Sequence, residues 1–144
     1  MMKIFKGIVF YFLLGGSVAN AAPSAQDLYD QCSEDFFVSS DVVVCLAKKL
    51  AASEKRLVKE QQHAVAVLDQ WYVDPAYKEK AREKFLENNK EFKKYKKDYC
   101  NFSMSMMGGS ESNSHEISRI SCVASQNLYY IEQVEENLHY IRKK

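Results

Sequence analysis

The segment Phe92-Lys93-Lys94-Tyr95-Lys96-Lys97-Asp98-Tyr99-Cys100 ends one helical pattern, and Gly108-Gly109-Ser110 and Cys122 follow it. Apolar residues in the segment recur three and four positions apart, which predicts an amphipathic helix that runs up to a flexible turn. A second periodic stretch begins just beyond the turn. Two cysteines therefore flank the turn of a predicted helical hairpin.

The N-terminus has the three parts of a secretory signal peptide. Residues 1–6 carry two lysines and no acid, residues 8–14 are an unbroken apolar run, and Ala19-Asn20-Ala21 fits the small-x-small cleavage rule. The apolar run is much shorter than the roughly 20 residues that a bilayer span needs. We therefore predict a signal peptide over residues 1–21, and an exported protein with no membrane span that comprises one helical domain, residues 22–144.

Composition narrows the classes of function. The chain has 144 residues, 20 lysines and arginines, and 19 acids, and two of the lysines lie in the predicted signal peptide. The near-neutral remainder favours neither nucleic acid nor an anionic membrane as a partner.

Four cysteines in a short exported chain predict two disulfides, and no Cys-x-x-Cys spacing points to zinc. We expect no metal and no cofactor.

Hydrophobic periodicity predicts three long helices after an N-terminal arm that holds Cys32 as a short helix or an irregular segment. The first helix should begin near Asp41, a good N-cap. The residue before Pro75 is pushed out of helical geometry, so the second helix should begin at Pro75 and run to about Phe102. A loop over residues 103–114 leads to a third helix from about His115 to about Ile141. The apolar stripes of the three helices comprise Val43, Leu46, Leu50, Leu57, Ala64, Leu68 and Trp71; Tyr77, Ala81, Phe85, Phe92, Tyr95, Tyr99 and Phe102; and Ile117, Ile120, Ala124, Leu128, Ile131, Val134, Leu138 and Ile141.

Three such helices pack most simply as an all-α, antiparallel three-helix bundle. In that arrangement Cys45, Cys100 and Cys122 lie at the same end as the N-terminal arm. The pairing we favour is Cys32 with Cys45 and Cys100 with Cys122, which staples the arm and the loop between the second and third helices. Four cysteines allow three pairings, and Cys45 with Cys100 is the alternative.

This pattern resembles the LprI-like family of exported bacterial proteins, named for a lysozyme inhibitor. The resemblance rests on Cys32 and Cys45, on the segment 92–100, on Gly108-Gly109-Ser110 and on Cys122. It spans nearly all of residues 22–144 and implies a periplasmic location. Five positions depart from the family pattern. Phe92 stands where the family has tryptophan, Lys96-Lys97 replaces Arg-Asp, and Asn127 and Tyr130 stand where threonine and arginine are expected.

The resemblance implies a protein-binding module that inhibits lysozyme-type peptidoglycan hydrolases by loop insertion or by blocking the cleft. A disulfide-clamped loop loses little entropy when it enters a cleft, which favours the loop as the binding element. The predicted partner-binding residues are Gly108, Gly109, Ser110, Glu111 and Ser112. Glu111 suits a basic partner, but catalytic carboxylates would repel it. The alternative contacts are Lys93, Lys94, Lys96 and Lys97.

Other classes of function find less support in the sequence. His63, His115 and His139 are dispersed, and no nucleophile, base and orienting group fall together, so we expect no enzyme. Met104, Met106, Met107 and His115 are soft ligands that copper accepts, although methionines more often pad an apolar surface. A periplasmic immunity protein or an envelope interaction protein without activity on lysozyme is the alternative function.

Overall fold

The computed structural model describes residues 21–142. Apart from Ala21, the predicted signal peptide lies outside the described residues. Residues 21–142 form helices and contain no strand, with bounds α1 Ala25–Ser33, α2 Ser39–Gln70, α3 Pro75–Ser105 and α4 Asn113–Arg142. The all-helical prediction is confirmed and the packing is compatible with a bundle. The described residues form four helices, because the N-terminal arm, predicted as a short helix or an irregular segment, forms the short helix α1 beside the three long ones.

Capping groups set several helix ends. Ser24 precedes α1, where its Oγ accepts from the Asp27 amide at 3.1 Å while the Asp27 carboxylate accepts from the Ser24 amide at 2.8 Å. This reciprocal pair is a capping box, which satisfies two amides that a helix start leaves open. At α3, the Asp74 carboxylate accepts from the Ala76 amide at 2.9 Å, and Pro75 occupies the first turn as predicted.

Two predicted boundaries differ by two or three residues from those observed. Asp41 does not cap α2, because the helix begins two residues earlier and its N-cap, Val38, has no capping side chain. Asp41 instead lies in the first turn, where a carboxylate interacts favourably with the helix dipole. The loop between α3 and α4 is also shorter than predicted, since α3 continues to Ser105 and α4 already begins at Asn113.

The core is built around α4, which packs against each of the other three helices. Its predicted stripe is largely confirmed: Ile120, Ala124 and Ile131 are buried. One cluster of buried residues joins α1, α2 and the start of α4, and a second joins the far ends of α2 and α4. The buried residues of the first cluster are Leu28, Cys32, Val42, Leu46, Ile120 and Ala124; those of the second are Ala64, Val134 and Leu138.

The predicted apolar face of α3 is largely exposed. Cys100 is its one buried residue within the described chain, whereas Tyr77, Tyr95 and Phe102 are 66 %, 55 % and 60 % exposed. Periodicity identified this face correctly, but no other helix covers most of it. A helix with so little buried surface needs other attachments to α2 and α4.

Both disulfides have the pairing that we favoured. Cys32 bonds Cys45, which ties α1 to α2, and Cys100 bonds Cys122, which ties α3 to α4. Disulfides are compatible with an exported protein, because oxidising compartments preserve them. None of the helices within residues 21–142 combines the length and the apolar character required to cross a membrane.

Candidate functional site

The α3–α4 loop, residues 106–112, projects from the helices and is exposed along its whole length. Gly108 and Gly109 have φ values of +64° and +74°, the left-handed region that residues with a Cβ rarely adopt. A Cβ added at either glycine would meet no atom within 4 Å. The glycines are therefore required by the turn of the backbone and not by close packing.

The Cys100–Cys122 disulfide anchors this loop from both sides. It lies five residues before the end of α3 and nine residues after the start of α4. Both cysteines are buried, and their Cα atoms are 5.6 Å apart. The two stems of the loop are therefore fixed to each other, while the tip is free to contact a partner.

The five residues predicted to bind a partner lie together in this loop. Ser110, Glu111 and Ser112 are all exposed. Ser112 also organises the start of α4, because its Oγ lies 3.0 Å from His115 Nδ1 and its carbonyl accepts from the Glu116 amide at 3.2 Å. Ser110 and Glu111 consequently form the polar tip of the loop.

The predicted lysine cluster divides into two kinds of residue. Lys93, Lys94 and Lys97 are exposed, whereas Lys96 is half-buried and its Nζ donates to Asn127 Oδ1 at 2.6 Å. Burial lowers the pKa of Lys96, with the neighbouring Glu54 acting in the opposite direction. Lys96 therefore links α3 to α4 through Asn127 and is a poor candidate for partner contact.

A buried polar network at Asn127 joins three helices, and hydrophobic periodicity did not predict it. Asn127 on α4 is completely buried. Its Nδ2 donates to Ser53 Oγ on α2 at 2.9 Å, and its Oδ1 accepts from Lys96 on α3. Ser53 in turn donates to the Leu50 carbonyl at 2.7 Å. Both polar atoms of the Asn127 side chain therefore have a hydrogen-bond partner, Nδ2 on α2 and Oδ1 on α3.

An aromatic stack beside the network completes the attachment of α3. The rings of Phe92 and Tyr130 lie 4.0 Å apart between centroids and are nearly parallel. Lys96 Nζ lies 5.3 Å from the centroid of Phe92. The Tyr130 hydroxyl lies 2.7 Å from Oδ1 of both Asn88 and Asn89. Phe92, Lys96, Asn127 and Tyr130, four positions at which the chain departs from the family pattern, are therefore neighbours in space.

The exposed side of α3 forms an aromatic groove of about 760 Å³ next to this stack. Tyr95 and Tyr99 stack on each other at 5.5 Å between centroids, and Phe102 continues the row. A single exposed aromatic residue is ordinary, but a continuous row is typical of a contact surface. Periodicity indicated the row, and only the structure revealed that it faces outwards.

The three histidines lie on separate parts of the helices, each beside a neighbour close in sequence. His63 Nδ1 lies 3.0 Å from Glu60 on the same helix, His115 lies against Ser112, and His139 meets Tyr140 edge to face. Within residues 21–142, no group of three or more histidine, cysteine or acidic residues could hold a metal ion. Met106 and Met107, considered above as copper ligands, are exposed beside the glycines.

Comparisons with protein-family models, with curated proteins and with solved structures return no match. The likeness to the LprI-like family therefore stays a prediction from the four cysteines and the Gly-Gly-Ser loop.

Proposed function

We propose that this chain is an exported, periplasmic protein-binding module that inhibits a lysozyme-type peptidoglycan hydrolase through its α3–α4 loop. The observation that carries the proposal is an exposed turn, Gly108-Gly109, between stems joined by a buried disulfide. A loop fixed in this way has already lost much of the entropy that binding would otherwise cost. It can therefore enter or cover a cleft without refolding.

The chemistry of the loop fits a protein partner. Ser110, Glu111 and Ser112 supply hydroxyl and carboxylate groups at the tip, and Met106 and Met107 supply exposed apolar surface beside it. An interface needs this combination of an apolar centre with a polar rim. Glu111 favours a cationic group on the partner, because an exposed carboxylate facing a carboxylate is repelled.

The proposal is tested with peptidoglycan hydrolysis by chicken-type, goose-type and invertebrate-type lysozymes, in the presence of the purified protein with both disulfides verified by mass. We expect saturable inhibition of one type. Glu111→Arg should weaken that inhibition at least tenfold, whereas Glu79→Arg, the same change at an exposed acid near the start of α3, should leave it within about twofold.

Gly108→Pro provides a second test. Proline fixes φ near −65° and cannot adopt the φ of +64° observed at this position. Because a Cβ at Gly108 meets no neighbouring atom, the change should distort the loop and leave the helices intact. Inhibition that survives both Gly108→Pro and Glu111→Arg would move the binding site elsewhere.

A specific observation also favours the second candidate, an envelope interaction or immunity protein. The row Tyr95, Tyr99 and Phe102 offers a helical surface that does not involve the loop. Such a protein would leave all three lysozymes unaffected, and Tyr95→Ser would weaken its partner complex while Gly108→Pro would not.

A further inference from the structure

The α1–α2 loop, residues 34–38, exposes an apolar tripeptide. Phe37 is 98 % exposed, and Phe36 and Val38 on either side of it are 40 % and 59 % exposed. Solvent-exposed aromatic side chains at a loop tip contribute nothing to the core. The α3–α4 loop proposed to contact a hydrolase does not include this apolar tip, so the tip needs another explanation.

A disulfide anchors the α1–α2 loop, as it does the α3–α4 loop. The Cys32–Cys45 disulfide joins its two flanks across 13 residues. The Phe36 amide donates to the Cys32 carbonyl at 3.1 Å, and the Asp41 amide donates to the Val38 carbonyl at 2.9 Å. Phe37 is therefore presented from a constrained backbone, and its burial by a partner would order little further chain.

One groove separates the start of α2, which directly follows the α1–α2 loop, from the α3–α4 loop. This cavity of about 700 Å³ is lined by Ser39 of α2 and Met107 of the α3–α4 loop, and by Tyr29 of α1 and Tyr99 of α3. We call residues 34–39 and 106–112 together the paired-loop surface. Phe37 does not line the groove, but a partner that contacts Phe37 and extends past Ser39 over the groove would reach Met107.

Charge is unevenly distributed between this surface and α3. Residues 22–47 contain five acids and no lysine, arginine or histidine, and residues 101–114 contain one acid and again no basic residue. Residues 75–97 of α3 instead contain nine basic residues and four acids. Along the chain, the apolar tip of the paired-loop surface is thus flanked by Glu34, Asp35 and Asp41, and the nearest basic residues are Lys48 and Lys49.

We propose that the paired-loop surface docks on a basic protein, with Phe37 as the aromatic anchor in an apolar pocket of the partner and Asp35 and Asp41 facing its cationic groups. Central aromatic anchors dominate the energy of interfaces, and complementary charges govern the rate and specificity of association. An anionic membrane would be repelled by the same acids. A second copy of the chain docked tip to tip would oppose like charges.

This inference rests on the proposed function for its first probe, and it adds the partner's chemistry and a second contact loop. Binding of the full chain, disulfides intact, is measured to the three lysozyme types at about 50 mM and about 500 mM salt. Phe37→Ser should raise the Kd at least about tenfold. Tyr72→Ser, which removes an equally exposed aromatic residue at the far end of α2, should change it less than about twofold.

The charged rim is tested in the same measurement. Asp35→Asn with Asp41→Asn should slow association and flatten its dependence on salt, because fewer charges remain to be screened. The matched control is Glu79→Gln with Glu83→Gln on the exposed face of α3. An unchanged Kd in Phe37→Ser, with a lysozyme bound and inhibited, would overturn the inference and leave the proposed function standing.

A second probe covers the case in which no lysozyme binds, which would end the proposed function. A photo-reactive phenylalanine analogue placed at position 37 of the full chain is irradiated in the producing cells, with position 72 as control. Adducts with a basic protein, seen at position 37 alone and lost with Asp35→Asn and Asp41→Asn, would support the inference. Adducts with lipid, with a second copy or with an acidic protein, or no adduct at all, would overturn it.

Discussion

Replacing Asn127 with leucine should destabilise the protein by about 2–4 kcal/mol, although the two side chains have the same number and branching of heavy atoms. The buried amide donates to Ser53 at 2.9 Å and accepts from the Lys96 ammonium at 2.6 Å. A hydrogen bond to a charged group contributes about 1.5–3 kcal/mol and a neutral one about 0.5–1.5 kcal/mol. Because Lys96 is only half-buried and can turn towards water, the loss should fall near the middle of the summed range.

A double-mutant cycle separates this network from packing. Lys96→Met removes the ammonium, so leucine at position 127 then leaves no charge without a partner. The free energy of unfolding of the double variant should therefore exceed the value expected from adding the two single losses by at least about 1.5 kcal/mol. The measurement is urea unfolding at pH 7 with both disulfides intact, followed by circular dichroism. Lys93→Met, at an exposed lysine on the same helix, should stay within about 0.5 kcal/mol. A loss below about 1 kcal/mol in Asn127→Leu, or additivity in the cycle, would refute the network as the attachment of α3.

Two further predictions concern the same attachment. Burial raises the pKa of the Tyr130 hydroxyl, so its stabilising effect is complete below the unfolded pKa of about 10 and is lost as pH rises through the folded value. Tyr130→Phe should therefore be less stable than the parent at pH 7 by about 1 kcal/mol, and urea titrations should show the gap narrowing as the pH rises above about 10. A constant gap would contradict this sign. Replacing Cys100 and Cys122 together with serine opens a closed segment of 22 residues, which should lower the free energy of unfolding by about 3 kcal/mol. Hydrogen exchange should then become faster in α3 than in α4. An equal increase in both helices would show that other contacts attach α3.

Several features of the fold could be predicted because local chemistry determines them. Pro75 starts a helix since its fixed φ and missing amide suit the first turn. The stripe of α4 was correct because that helix contacts all the others, so its apolar face had to be covered. The disulfide pairing was favoured because each bond joins neighbours along the chain. In all three cases, residues close in sequence or a single apolar face were sufficient to predict the structure.

Other features depend on tertiary packing that periodicity does not encode. An apolar stripe identifies a face of α3, but not whether another helix covers it, and Tyr95 and Phe102 are exposed. Asn127 is polar, so a hydrophobic pattern assigns it to no core, yet its partners on α2 and α3 bury it completely. Nothing local marked Val38 as the N-cap of α2 either, because it provides no capping hydrogen bond.

The candidate loop was predictable and its surroundings were not. Gly108-Gly109 marks a turn from sequence alone, and the structure gives both glycines positive φ. That Met107 and Ser39 line one groove follows only from the meeting of α1, α2 and α3 around the start of α4. The exposure of Phe37 was likewise hidden, since an apolar residue in an N-terminal arm is equally consistent with burial.

The most direct test of the proposed function is peptidoglycan hydrolysis by chicken-type, goose-type and invertebrate-type lysozymes, titrated with the disulfide-verified protein and with Gly108→Pro in parallel. The account predicts saturable inhibition of one lysozyme type by the parent protein and at least tenfold weaker inhibition by the variant, which should keep its helical content. Undiminished hydrolysis by all three lysozymes at protein concentrations far above those of the enzymes would contradict it.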